Sequence, residues 1–139
     1  MRNINNSIRM KKLFALLLTA FVAVSVQAHP DEFTDISVKD VNKLAESEAA
    51  VIIDANGPDS YKAGHVPTAL DFNAIQDHLA TSVPADKNAL IIAYCGNPQC
   101  GAYLHAAKAL QKLGYTNIRH MSAGIDGWKA AGLKTEAGK

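Results

Sequence analysis

The sequence predicts an α/β domain, a parallel sheet with helices on both faces. Three observations lead there. From Phe33 onward, short β-like runs alternate with stretches of helical period. Residues 90–94, Leu-Ile-Ile-Ala-Tyr, form a continuous uncharged run, the pattern of a central strand covered on both sides. The chain has 139 residues, 48% of them hydrophobic and 19% charged, which suits one core and excludes a disordered polymer.

Taken in order, Ser37 is placed to cap a first helix over 38–47, with Val38, Val41, Leu44 and Ala45 at helical spacing. Residues 49–53 read as a buried strand closed by Asp54 and a Gly57-Pro58 turn. Residues 59–63 read as one helical turn ended by Gly64. Residues 69–72 are a second short strand, and 74–79 another helix before a polar loop containing Pro84. After the strand at 90–94 comes the best helix, starting at Pro98 or Gly101 and running to Leu113. Its expected inner face is Ala102, Ala106, Ala109, Leu110 and Leu113, and Gly114 is its stop. Residues 118–121 form a last strand and 127–131 a closing helix.

The first 28 residues stand apart. Arg2, Arg9, Lys11 and Lys12 precede an uncharged apolar run of 14 residues, Leu13 to Val26, which exits through Val26-Gln27-Ala28. That is the grammar of a cleaved secretory signal peptide, too short to span a bilayer as a stable helix. An uncleaved anchor is the alternative. The expected division is a signal peptide at 1–28 and a mature domain at 29–139, located in the periplasm. The mature part holds ten Lys and Arg against thirteen Asp and Glu, a formal −3, whereas the whole chain is +1. Such a domain has no electrostatic reason to seek nucleic acid, or a membrane once the signal is cleaved.

Cys95 and Cys100 are the two cysteines. In an oxidising compartment an even pair invites a disulfide, yet so short a loop removes little unfolded-state entropy. A bridge here points to redox chemistry. Cys95 follows the central strand, and ligands of parallel α/β sheets gather at the carboxyl ends of strands. A strand, a tight loop and a helix start would surround it with backbone amides, which favour an anion and hence a thiolate. In the segment Cys95-Gly96-Asn97-Pro98-Gln99-Cys100-Gly101, the glycines permit unusual backbone angles. Asn97 is a candidate N-cap and Pro98 suits a first helical position. The alternative is a buried structural cysteine.

Four ordered motifs along nearly the whole mature chain resemble the rhodanese-like family. Val51-Ile52-Ile53-Asp54 followed by Tyr61-Lys62-Ala63-Gly64-His65-Val66-Pro67-Thr68-Ala69 is similar to its first signature. Ile91-Ile92-Ala93-Tyr94-Cys95 resembles its active-site strand and nucleophile. Ala106-Ala107 through Leu113-Gly114-Tyr115-Thr116-Asn117-Ile118 resembles the following helix and strand, and Ser122-Ala123-Gly124-Ile125-Asp126-Gly127-Trp128 its closing motif. The resemblance implies a three-layer domain and a sulfurtransferase of the thiosulfate type. Cys95 would take sulfane sulfur from a small donor as a persulfide and pass it to a thiophilic acceptor, with Gly96, Asn97, Pro98, Gln99 and Gly101 as the anion cradle. Asp54, Lys62 and His65 are candidate supporting residues, with Asp54 capping a loop and His65 holding one. No cofactor is implied.

The chain departs from the family pattern where an arginine is common, in the active-site loop and after the first-signature Asp. Cys100 or Gly101 and Asn56 occupy those regions, and no Arg lies between Arg9 and Arg119. The bidentate cationic clamps that suit an oxyanion are missing. The loop is also about two residues longer than in common single-domain members. Phosphatase relatives share long loops but rely on a loop Arg, so that activity is not expected. Cys100, expected in the first helical turn, is a candidate resolving cysteine, or a small residue closing the loop. A thiol-redox or non-catalytic binding module using the Cys95/Cys100 pair, serving a periplasmic thiol-disulfide protein, is the competing class. Cys95, Cys100 and His105 are spaced C-x4-C-x4-H, which fits no common zinc pattern, so no metal is expected. His105 is expected on an exposed helix face, His29, His78 and His120 at the surface, and Trp128 in the core.

Overall fold

The computed structural model describes residues 33–138. The signal-peptide reading of residues 1–28 and the surface reading of His29 lie outside the described residues. No helix among the described residues is long and apolar enough to cross a membrane.

The elements follow from local chemistry. A two-residue strand, β1 (Thr34–Asp35), leads to helix α1 (Val38–Glu46). The Ser37 hydroxyl accepts the Asp40 amide at 3.1 Å and donates to the Asp40 carboxylate at 2.7 Å, so the helix begins where the cap predicts. Strand β2 (Val51–Asp54) is followed by α2 (Pro58–Ala63) and β3 (Leu70–Asp71). The helix expected over 74–79 is instead three short pieces: α3 (Phe72–Ile75), a 3₁₀ turn (Gln76–His78) and α4 (Leu79–Ser82). Asp71 starts the first piece early by accepting the Asn73 amide, and His78, at φ −134° and ψ 32°, interrupts the run.

Strand β4 (Ile91–Tyr94) leads to α5 (Tyr103–Lys112), then β5 (Ile118–His120) and α6 (Gly124–Ala130). The end of α5 is a Schellman motif. The Tyr115 amide donates to the Leu110 carbonyl and the Gly114 amide to that of Gln111, with Gly114 at φ +91°. Leu113, expected inside, is 38% exposed because it is the C-cap residue, past the last turn that faces the sheet. Ala107 is buried beside Ala106 and Leu110 instead.

All strand pairs are parallel, in the order β1-β5-β4-β2-β3. β4 is the middle strand and all four of its residues are buried. Because successive residues of a strand face opposite ways, β4 divides itself between two cores. Ile91, Ala93 and then Cys95 join Ala106, Ala107 and Leu110 of α5, with Phe72 and Leu79. Ile92 and Tyr94 join Val41 and Ala45 of α1, with Ile125 and Trp128 of α6. Helices therefore cover both faces, and the carboxyl ends of β2, β4 and β5 open on one edge of the sheet.

Candidate active site at Cys95

Cys95 is the first residue beyond β4 and is 1% exposed. The start of α6 is pinned against it. The Ile125 amide donates to the Cys95 carbonyl at 2.9 Å, the Asp126 amide to the Gly96 carbonyl at 3.0 Å, and the Met121 amide to the Ala93 carbonyl at 3.1 Å. Ala123, the N-cap of α6, offers no side-chain acceptor, so the loop carbonyls satisfy helix amides that would otherwise be orphaned. This contact requires Gly124. It lies at φ +62°, and a Cβ there would come within 2.5 Å of the Gly96 carbonyl carbon and oxygen.

Beyond Gly96 the chain makes a β-turn rather than a helix start. The Cys100 amide donates to the Asn97 carbonyl at 3.0 Å, and the Gln99 amide to the Asn97 side-chain oxygen at 3.0 Å. Asn followed by Pro is the pairing such a turn favours. This corrects two expectations: Asn97 and Pro98 do not open α5, and Cys100 is not in its first turn but three residues before it. The turn brings the two cysteines together as a disulfide, with Cα atoms 6.2 Å apart, inside the usual range for a bridge. It also uses one of the expected cradle amides, that of Gln99, and Pro98 has none. Those of Gly96, Asn97 and Gly101 have no hydrogen-bond partner among the described residues.

Asp54, 1% exposed, ends β2 beside this loop. One carboxylate oxygen accepts the Asn56 amide at 2.7 Å and the Asn56 side-chain amide at 2.9 Å. The other accepts the Tyr94 hydroxyl, which itself accepts the Val66 amide at 3.0 Å. Burial first, and then the Asp54 charge and hydrogen bond, push the Tyr94 phenol far above its ordinary value. Asp54 therefore caps a loop and ties β2 to β4 and to the segment after α2. It also orients Asn56, whose side-chain oxygen lies 3.4 Å from where a Cβ on Gly96 would sit. An amide, not a cation, faces the loop at that position.

His65 is 5% exposed, and its partners lie in α2 and the C-terminal segment. Its ring stacks on Tyr61 at 3.7 Å, Nδ1 bonds the Tyr61 carbonyl at 2.9 Å, and Nε2 lies 3.9 Å from the Glu136 carboxylate. Lys62 is exposed, and its carbonyl accepts the Gly138 amide. Both thus meet the C-terminal segment, and no hydrogen bond or ion pair among the described residues joins either to Cys95. His105 and His78 are exposed as expected. His120 is not: it is 7% exposed, its ring stacked on Tyr103 at 3.3 Å between centroids. The inward alternation of a three-residue strand places it there, a signal too short to read from sequence.

Cys100 is only partly buried and opens on a groove of about 370 Å³, whose walls include Pro98, Gln99, Tyr103, Leu104 and His120. Among the described residues, neither Lys nor Arg lines it, and Asp35 is its one carboxylate. Arg119 faces a separate groove with Asp40 and Asn117. Sequence reasoning missed Tyr94 and Gly124 as positioning residues. Tyr94 is readable only as an apolar strand residue, while the positive φ of Gly124 comes from a contact 28 residues away along the chain.

A profile of the rhodanese-like domain matches residues 37–131. The chain belongs to the rhodanese-like family. It is 34% identical over 101 residues to the thiosulfate sulfurtransferase GlpE of Pseudoalteromonas translucida, covering 71% of this chain and 91% of that protein. Among solved structures, the BH2092 protein of Bacillus halodurans superposes with a TM-score of 0.65 at 24% identity, over 76% of this chain and 77% of its own. SseA of Escherichia coli, described as a 3-mercaptopyruvate sulfotransferase with the rhodanese fold, gives 0.61 at 19% identity, over 76% of this chain and 51% of its own. These two likenesses establish the fold.

Proposed function

We propose that the chain is a sulfurtransferase whose Cys95 thiolate takes the outer sulfur of a small donor such as thiosulfate and holds it as a persulfide. The reading rests above all on the position of Cys95, at the carboxyl end of the central strand and braced by α6 through its own carbonyl. Similarity to a thiosulfate sulfurtransferase supports the donor class. In the transfer, the Cys95 sulfur attacks the outer sulfur, the donor's S–S bond breaks and sulfite leaves. A thiophilic acceptor such as cyanide then removes the sulfur and restores the thiolate. The amides of Gly96, Asn97 and Gly101 supply the stabilisation an arginine would otherwise give. The disulfide must open first, because it occupies the Cys95 sulfur.

Thiocyanate formation from thiosulfate and cyanide tests the proposal. After dithiol treatment the wild type and Cys100→Ser should be active and Cys95→Ser inactive. Activity surviving Cys95→Ser refutes it. The disulfide also favours a second reading, a redox module that transfers no sulfur, which an inactive but reversibly oxidised wild type would support. We propose export as well, with cleavage after Ala28. N-terminal sequencing of the periplasmic protein should begin at His29, and retention of the full chain in the cytoplasm would contradict it.

A further inference from the structure

We infer that Cys100 discharges the Cys95 persulfide inside the same chain, so that the protein reduces sulfane sulfur to hydrosulfide at the expense of a dithiol. The inference rests on Cys95 as the sulfur carrier and adds a second half-reaction to it. The loop already holds the two sulfurs at bonding contact, through a turn fixed by Asn97 at two amides. Among the described residues, the groove beside Cys100 carries no Lys or Arg to retain a second anion.

The steps balance. The Cys95 thiolate displaces sulfite from thiosulfate and becomes a persulfide anion. The Cys100 thiol then attacks the Cys95 Sγ; the Sγ–S bond of the persulfide breaks, and the outer sulfur leaves with the electron pair and the Cys100 proton as hydrosulfide. What remains is the Cys95–Cys100 disulfide, the state seen in the structure. A dithiol closes the cycle and is itself oxidised to a disulfide. Its thiolate attacks Cys100, the partly exposed partner that lines the groove, rather than Cys95, which is 1% exposed. Cys95 leaves as the thiolate, poised for the next donor. Overall, thiosulfate and a dithiol give sulfite, hydrosulfide, a proton and a disulfide.

A single-turnover experiment tests this. The full chain is reduced with a dithiol, freed of reductant anaerobically, and mixed with one equivalent of thiosulfate or, in a parallel arm, of inorganic polysulfide; intact mass is then measured. Wild type should end lighter by two hydrogens, as the disulfide, and in the thiosulfate arm release one equivalent each of sulfite and hydrosulfide. Cys100→Ser and Cys100→Ala should release sulfite alone and remain heavier by one sulfur on Cys95. A wild type that keeps the extra sulfur on either cysteine overturns the inference while leaving Cys95 as carrier. Failure of the Cys100 variants to gain sulfur in either arm overturns both. In steady state with excess dithiol, hydrosulfide production should be lost in the Cys100 variants, and undiminished production would again overturn the inference.

Discussion

At the scale of single residues, Tyr94 links the two strands nearest the site. Its hydroxyl donates to Asp54 and accepts from Val66, both across long sequence separations. Removing it leaves a buried carboxylate short of one donor, so Tyr94→Phe should cost about 1–3 kcal/mol of stability, measured by urea unfolding. The same residue sets an alkaline limit. Its folded pKa is raised above the ordinary 10.0, by burial first and Asp54 second, so the unfolded chain releases this proton before the folded one does. The contribution is fully present below about pH 10 and is lost as the pH rises further. The fall in stability above that pH should therefore be shallower in Tyr94→Phe than in wild type. None of this was legible in the run Leu-Ile-Ile-Ala-Tyr, which announces a buried strand but not where its one hydroxyl reaches. Asp54 was legible as a loop cap, because a carboxylate ending a strand before Gly57-Pro58 needs nearby amides and finds those of Asn56.

Among the elements, the contact that matters most for the site is the start of α6 against the Cys95–Gly96 carbonyls. Gly124→Ala places a methyl group on those carbonyls and a side chain at positive φ. The expected costs are about 1–3 kcal/mol for the overlap and about 1–2 kcal/mol for the backbone. Thermal unfolding reads the destabilisation. Loss of sulfur transfer at temperatures where the variant is still folded would show that α6 positions Cys95. Elements with their own local signal were readable in the sequence: α1 from the Ser37 cap, β4 from its uncharged run, and the end of α5 from Gly114. Those set by distant partners were not. β1 exists because Thr34 and Asp35 pair with Arg119 and His120, and two residues carry no pattern of their own. Of the two starts read for α5, Gly101 lies two residues before Tyr103, but Pro98 fails because Asn97-Pro98 serves a turn as readily as a helix, and the turn holds Cys100 beside Cys95.

For the molecule as a whole, two cores on opposite faces of one parallel sheet hold the site in place, with Cys95 packed at the end of the core that α5 covers. Trp128 anchors the core opposite Cys95; it is 1% exposed and donates its indole N–H to the Lys134 carbonyl at 2.9 Å. Trp128→Ala should cost about 3–5 kcal/mol in urea unfolding, with sulfur transfer surviving where the variant remains folded. The architecture was legible because strand and helix signals alternate and a parallel sheet covered on both faces is what such an order builds. Less of the site was legible. The sequence pointed to Cys95 and Cys100, but grouped Lys62 and His65 with them although the fold turns both toward the C-terminal segment. That separation depends on the path of the last residues, which no local pattern encodes. Cys95 as the sulfur carrier is tested with reduced Cys100→Ser protein and thiosulfate labelled in its outer sulfur. One label per chain is expected, confined to the peptide containing Cys95 and released by cyanide as labelled thiocyanate. A chain that takes up no label, or takes it up equally as Cys95→Ser, would contradict it.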